Sequence, residues 1–558
     1  MWRVQLTASL VRAAFVLIRD QLSGSGYARE MHTRRTSRPN RSLRVGGALL
    51  AAAALLVAGC SSGGSRTAAT VADGGPGLGA QPRATPSVPA AYYEQRLRWR
   101  DCEVAGFQCA TMKAPLDYAK PGEGDIRLAV SRRKATGPGK RLGSLLVNPG
   151  GPGGSAVGYV QGYAGIGYPA EVRARYDMVA VDPRGVAGSE PVECLTGRQM
   201  DTYTQTDLTP DGTGETAKLV AAYKRFAEGC GQRAPRLLRH VSTVEAARDM
   251  DILRGVLGDE KLTYVGASYG TFLGATYAEL FPKRVGRLVL DGALDPSLPA
   301  HRLNQEQTAG FAKAFQAFAK DCVGRKDCVL GRTPAQVGDR LRAFFERLDT
   351  RPLRTGDADG RRLGEALATT GVIAAMYDEG AWPRLRQVLT EAVGKGDGAG
   401  LLALSDSYFE RGPGGTYSNL MYANAAVNCL DLPAAYDSPE EVERALPKFE
   451  KASPVFGRAL AWASLNCAYW PVRATGGPHR IEAKGAAPIV VVGTTRDPAT
   501  PYRWARALAS QLSSARLLTY DGDGHTAYGR GSACIDSTIN AYLLRGTPPT
   551  DGKRCSAP

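Results

Sequence analysis

Between Tyr264 and Ala278 the chain reads YVGASYGTFLGATYA, and Ser268 stands midway between Gly266 and Gly270. The run LTYVG before it is apolar and reads as a buried strand, while TFLGATYAELF after it reads as a helix. G-x-S-x-G at such a junction is the pattern of a nucleophile elbow, a turn so tight that residues without side chains must flank the serine. It constrains the whole fold, because the strand must end and the helix must begin within two residues of one hydroxyl. The helix N-terminus also brings partial positive charge toward that hydroxyl.

The surrounding sequence repeats this alternation. Strand-like runs begin at Ile126, Gly143, Tyr176, Lys261, Gly286, Pro488 and Ala515, several of them rich in Val, Leu and Ile as strands buried on both faces should be. Helical patterns lie between them, such as TVEAARDMDILRGVLG, with Ser242 or Thr243 to cap its start and Gly258 to end it. A mostly parallel α/β sheet is expected. From Pro296 to Ala487 helical patterns dominate instead, and this interval reads as a helical cap inserted over the end of the sheet.

A nucleophilic serine needs a base. Of five histidines, His32 belongs to the leader discussed below, His240 and His301 sit beside charged or helical segments, and His479 lies in a Gly/Pro-rich turn. His525, in YDGDGHTAYG directly after the last apolar strand, is in a glycine-loosened loop able to bring an imidazole over the serine. In this type of fold the acid precedes the histidine in the chain, which points to Asp497 in VVVGTTRDPATPYRWA, ahead of a helix that Thr500 can cap and Pro501 can begin. Asp291, after the earlier strand RLVL, is its rival; Asp182 in VDPRGVAGS reads as a carboxylate bonding its own turn. Oxyanion donors are expected from the backbone of Gly151, in VNPGGPGGSA, and of Tyr269, with Gly150 the near alternative to Gly151. No Lys-Ser or Lys-Thr follows those glycines, so the loop is not a phosphate-binding P-loop.

The ends of the chain bear on where it works. From Met31, five arginines lead into an apolar run from Val45 to Ala58, the pattern of a secretory leader and short for a membrane span. LVAGC, ending at Cys60, is similar to the lipobox of bacterial lipoproteins, which implies cleavage before Cys60 and a lipid on its sulfur. Residues 1–30 precede that plausible start and read as a mis-assigned start or a pre-extension. Ser61 to Ala90 is a Gly/Ser/Pro/Ala tether. The expected division is 1–59 leader, 60–90 tether, 91–295 first part of the core, 296–487 cap and 488–558 second part of the core. The protein is expected to be extracytoplasmic, lipid-anchored or secreted.

Residues 1–59 hold nine arginines and two acids, so of 70 basic and 54 acidic residues 61 and 52 remain after cleavage. That mild excess is scattered, which excludes the basic stripe a nucleic-acid partner requires. With Cys60 assigned to the lipid, ten of the 11 cysteines remain, an even number suited to disulfides in an oxidising compartment. Nearest-neighbour pairing would join Cys102 to Cys109, Cys194 to Cys230, Cys322 to Cys328, Cys429 to Cys467 and Cys534 to Cys555, although connectivity does not follow from sequence alone. None of the spacings comes with histidines that would suggest zinc.

NPGGPGGS, DPRGVAGS, GASYGT, TTRDPATP and GDGHTAYG, in this order and with a long helical insertion before the acid, resemble the secreted tripeptidyl aminopeptidases of the α/β-hydrolase superfamily, relatives of prolyl aminopeptidases. The resemblance spans Ala90 to Cys555 and includes NCLD at Asn428 and NCAYWP at Asn466, which look like the family's half-cystine positions near the end of the cap. Pro149 departs from the prolyl aminopeptidases, which carry a histidine there. The resemblance implies a serine exopeptidase that releases short peptides, commonly tripeptides, from free N-termini, with Ser268 as nucleophile, His525 as base and Asp497 as its orienting acid. It implies no metal and no organic cofactor, and a monomer is expected. A lipase or carboxylesterase uses the same triad, and a non-catalytic lipoprotein is a further reading. An aminopeptidase must hold a free amine, and the cap offers Asp378 and Glu379 in MYDEGAW and, preferred for its place two residues after Cys429, Asp431.

Overall fold

The computed structural model describes residues 88–557. The expected leader, the expected lipidation site at Cys60 and nearly all of the expected tether lie outside the described residues.

Ten strands form one sheet: β1 (Arg100–Asp101), β2 (Gln108–Pro115), β3 (Asp125–Arg133), β4 (Gly143–Asn148), β5 (Tyr176–Val181), β6 (Leu262–Ala267), β7 (Val285–Asp291), β8 (Ile489–Arg496), β9 (Ala515–Asp523) and β10 (Lys553–Ser556). Their spatial order is β1-β2-β3-β5-β4-β6-β7-β8-β9-β10. The pairings up to β3–β5 are antiparallel and all those from β5 to β10 are parallel, so seven neighbouring strands share a direction. This is the α/β-hydrolase fold, and it explains the unbroken apolar runs. Leu146, Tyr264, Leu288 and Val491 pack into one apolar cluster, while their chain neighbours Val147, Val265, Val289 and Val490 pack into another on the opposite face. Alternate residues of a strand point to opposite faces, so a strand covered on both sides must be apolar throughout.

Helices α1 (Thr243–Val256) and α2 (Tyr269–Leu280) cover the first face. Ser242 caps α1 by accepting the Glu245 N–H, and Gly258, just past its end, takes a left-handed φ of 77°.

Between β7 and β8 come helices that include α3 (Ala300–Val323), α4 (Pro334–Thr350), α5 (Glu365–Met376) and α6 (Leu420–Asp431). The first three share a core of their own around Phe315, Phe318, Phe344 and Leu348. Helix α6 differs, because Tyr422, Ala426 and Leu430 join the cluster on the sheet. It therefore lies on the core. Beyond β8, helix α7 (Tyr502–Gln511) packs on the first face. Helix α8 (Ala533–Arg545) covers the opposite face with Ile535, Ile539, Tyr542 and Leu543, one stripe at helical spacing.

Five disulfides join Cys102–Cys109, Cys194–Cys230, Cys322–Cys328, Cys429–Cys467 and Cys534–Cys555. The bridge from Cys429 in α6 to Cys467 encloses the longest separation, 38 residues, and on the chain-entropy model contributes on the order of 3 to 4 kcal/mol.

One buried acid opposes the fold at neutral pH. Glu365, at the start of α5, accepts the Thr369 hydroxyl at Oε1, whereas Oε2 is buried without a hydrogen-bond partner among the described residues. Burial first, then the nearby Asp207 and Asp349, push its carboxyl up to about 7. A carboxyl whose folded pKa is raised binds more protons folded than unfolded, so stability falls as pH rises from the unfolded value, near 4.3, through about 7. Glu365→Gln is therefore expected to raise the melting temperature at pH 8, by up to about 3 kcal/mol of stability, and to do nothing at pH 4. Thermal unfolding of both proteins at the two pH values measures this.

Candidate active site

Four of the loops that carry the candidate residues leave the carboxyl ends of parallel strands of this sheet, β4, β6, β8 and β9, where an open α/β sheet forms its crevice. Ser268 follows β6 and has φ 56° and ψ −125°, a conformation rare for a residue with a side chain and held by what surrounds it. Its N–H donates to Asp291 O and its carbonyl accepts from Thr271. The flanking glycines are obligatory. A Cβ on Gly266 would stand 2.3 Å from Gly270 O, and one on Gly270 would stand 2.9 Å from Asn148 O.

The glycine loop after β4 touches this turn: a Cβ on Gly150 would lie 2.9 Å from both Ser268 Cβ and Tyr269 N. The Gly150 N–H is already donated to Asn148 Oδ1 at 2.9 Å, which favours Gly151 of the two as an oxyanion donor. Tyr269 is the first residue of α2, where N–H groups lack intrahelical acceptors. Both Gly151 and Tyr269 border the same cavity as Ser268. Asp182 holds the loop in place, accepting from Ser155 Oγ, Val157 N and Gly188 N.

His525 and Asp497 are in direct contact. The ring Nδ1 is 2.9 Å from each carboxylate oxygen, and both residues are buried. Asp497 is fixed in turn by the N–H groups of Ala499, Thr500 and Thr526. The opposite ring nitrogen, Nε2, is buried and without a hydrogen-bond partner among the described residues. No hydrogen bond joins it to Ser268 Oγ here, and such bonds in unliganded hydrolases commonly tighten when substrate binds. The rival acid has a different place: Asp291 accepts from the backbone of Ala527 and Tyr528 and so shapes the histidine loop without touching the ring. Thr500 does not cap the next helix, whose N-cap is Pro501 without a side-chain bond; its hydroxyl lies 3.4 Å from His525 Nδ1.

The segment between β7 and β8 grips the histidine as well. The His525 N–H donates to Tyr377 O at 2.9 Å, and the Tyr377 ring meets the imidazole edge to face, centroids 5.6 Å apart. Arg530 donates to the His525 carbonyl with one nitrogen and to Asp378 Oδ1 with the other. Asp378, expected as an amine ligand, is spent on this pairing, and neither it nor Glu379 borders the cavity. Both lie at a short 3-10 turn beside the histidine loop. Arg530→Ala is expected to lower kcat for a small ester on the order of a hundredfold with KM little changed, as a displaced base does. A parallel fall in KM-type binding would mean that Arg530 touches substrate.

The cavity in front of Ser268 has a volume of about 310 Å³. Among the described residues its acidic and basic lining side chains are Asp295 and Asp431, with no lysine or arginine. Asp431 is buried; it accepts from Thr243 N at 2.9 Å and from the Thr243 hydroxyl, which also bonds the Tyr269 hydroxyl. Burial raises its carboxyl to about 7, against the lowering effect of the Thr243 bonds. Asp295, absent from the sequence reading, uses Oδ1 on Ser297 and Gln511. Its signal was the Asp-Pro turn directly after β7.

The sequence of residues 453–555 matches a family model described as TAP-like protein. Over 485 residues the chain is 38% identical to serine protease Hip1 of Mycobacterium tuberculosis, covering 83% of this chain and 91% of that one. It is equally 38% identical to carboxylesterase B of the same organism, covering 85% and 92%. Tripeptidyl aminopeptidase of Streptomyces coelicolor is 32% identical over 473 residues, covering 81% of this chain and 84% of that one.

Proposed function

Because the chain belongs to the tripeptidyl aminopeptidase-like family of α/β hydrolases, we propose that it is an exported serine exopeptidase that cuts peptides near their free N-termini and releases tripeptides through an acyl-enzyme. The observations that carry the reading are the imidazole held by Asp497 at Nδ1, with no partner on Nε2 among the described residues, and Ser268 on the strained turn after β6.

In this mechanism Ser268 Oγ attacks the scissile carbonyl while His525 Nε2 takes its proton. Asp497 keeps the remaining ring proton on Nδ1 and stabilises the imidazolium. Charge on the tetrahedral oxygen is met by the N–H groups of Gly151 and Tyr269. The C–N bond then breaks as His525 returns its proton to the leaving amine. Water, deprotonated by the same nitrogen, attacks the acyl-enzyme, and the proton passes back to Ser268. Asp431 receives the substrate's ammonium. An ammonium suits a cavity whose charged side chains are acidic, since a charge-assisted hydrogen bond is about twice as strong as a neutral one.

The five disulfides suit an extracytoplasmic protein, and a lipid on Cys60 with the following tether would hold it at the outer surface of the cell membrane. A fluorophosphonate probe is expected to label the wild type and not Ser268→Ala. The wild type is expected to cleave a free-amine tripeptide substrate and spare its N-acetyl form. The relative named carboxylesterase B, at the same identity as the protease, favours one second reading, an esterase. Hydrolysis of a small ester with neither the free nor the acetylated peptide cut would establish that reading in place of the first, whereas equal cleavage of both peptides would remove the aminopeptidase reading.

A further inference from the structure

We infer that one face of α6 is a ruler that sets the released peptide at three residues; this rests on the aminopeptidase reading and adds the element that measures. Asn424, Asn428 and Asp431 all border the cavity, and spacings of four and three residues place them in one row along the helix. The start of the row is level with the oxyanion loop. Asn424 Nδ2 donates to Pro152 O at 3.0 Å, and a Cβ on Gly153 would stand 2.4 Å from Leu420 O and 2.9 Å from Asn424 N. Asn428 Nδ2 donates to Asn424 Oδ1 at 3.0 Å and its side chain is otherwise open to the cavity. At the far end Asp431 is fixed to Thr243, and the helix is tied down by the Cys429–Cys467 bridge.

The two lengths agree. Seven residues of α-helix rise about 10.5 Å from Asn424 to Asp431. Three residues of extended peptide span about 10 Å from the scissile carbonyl to the terminal nitrogen. Two residues reach about 7 Å and stop near Asn428, short of the carboxylate. Four residues reach about 13 Å, past Asp431 to a wall formed by Leu432 and Pro433, where an ammonium has no acceptor on this row. The two asparagines between offer amide donors and acceptors to the backbone of the extended substrate, whatever its side chains.

The ruler predicts a change of product length. On the full mature enzyme, a series of anilide substrates with one to four residues and a free amine is expected to show kcat/KM highest at three residues, at least about tenfold above two and four. Asp431→Asn should erase that maximum. The double variant Asn428→Asp with Asp431→Asn moves the carboxylate back by three helix positions, about 4.5 Å, and should shift the maximum to two residues. Asn428 is exposed, so its substitution does not threaten the fold. A wild type that requires the free amine yet shows the same length dependence as both variants, or none, would overturn the ruler and leave the aminopeptidase reading intact. Cleavage of acetylated substrates as fast as free ones would overturn both.

Discussion

Alanine at Ser268 or at His525 is expected to abolish nearly all turnover, and Asp497→Asn to leave about one part in ten thousand. The three residues act as one unit, so a double variant should be no slower than the worse single one. The reason for the Asp497 effect lies in the ring. An asparagine amide turned toward Nδ1 donates a hydrogen where the carboxylate accepts one, and the proton is driven to Nε2, the nitrogen that must take the Ser268 proton. Asp291→Asn should behave differently. Its carboxylate accepts the N–H groups of Ala527 and Tyr528, which an amide NH2 in place of one oxygen cannot do, so the substitution loosens the histidine loop and lowers the melting temperature. Active-site titration of the folded fraction separates the two cases. A crippled Asp291→Asn beside a nearly silent Asp497→Asn would reassign the acid.

The parts of this molecule that can be read from sequence are those governed by local pattern. Several of the parallel strands announce themselves because burial on both faces demands unbroken apolar runs, and Ser268 because its turn demands glycine on either side. Strand β2 was missed. It is antiparallel and half exposed, with Thr111 and Lys113 facing out between Met112 and Ala114, and so lacks the apolar run. Strand β10, four residues at the sheet edge, is exposed except for Cys555. His525 could be found by its position after the last apolar strand, but the contest between Asp497 and Asp291 turns on which carboxylate meets a ring and which meets a backbone, a distinction made by the tertiary fold. The same holds for the proposed amine site. Asp378 and Asp431 are both acids in stretches with a helical sequence pattern, and only the partners that folding brings, Arg530 for one and Thr243 for the other, distinguish their surroundings. Helix α6 looked like one more helix of an insertion because its apolar face does not say whether it covers a sheet or a bundle.

Asp431→Asn is expected to lower kcat/KM for a free-amine tripeptide by about thirtyfold to several thousandfold, the cost of 2 to 5 kcal/mol for removing one member of a buried charge pair. A small ester without an amine should change only a few-fold. The pH dependence follows from the two partners. Asp431 must be ionised to hold an ammonium, and burial has raised its carboxyl to about 7, so productive binding grows as pH rises through that value. The substrate's own amine loses its charge near 8, so binding declines above it. The peptide should therefore show a narrow optimum between about 7 and 8 that the ester lacks. Linkage gives an independent check. At pH 6 the free enzyme holds a proton on Asp431 that an incoming ammonium must displace, so peptide binding to the inactive Ser268→Ala protein should release close to one proton. Calorimetry in two buffers of different ionisation enthalpy counts that proton. If none is released, and if adding Asp431→Asn to the Ser268→Ala protein leaves peptide affinity unchanged at every pH, the carboxylate's bonds to Thr243 are its whole purpose and the ammonium is held elsewhere on the wall.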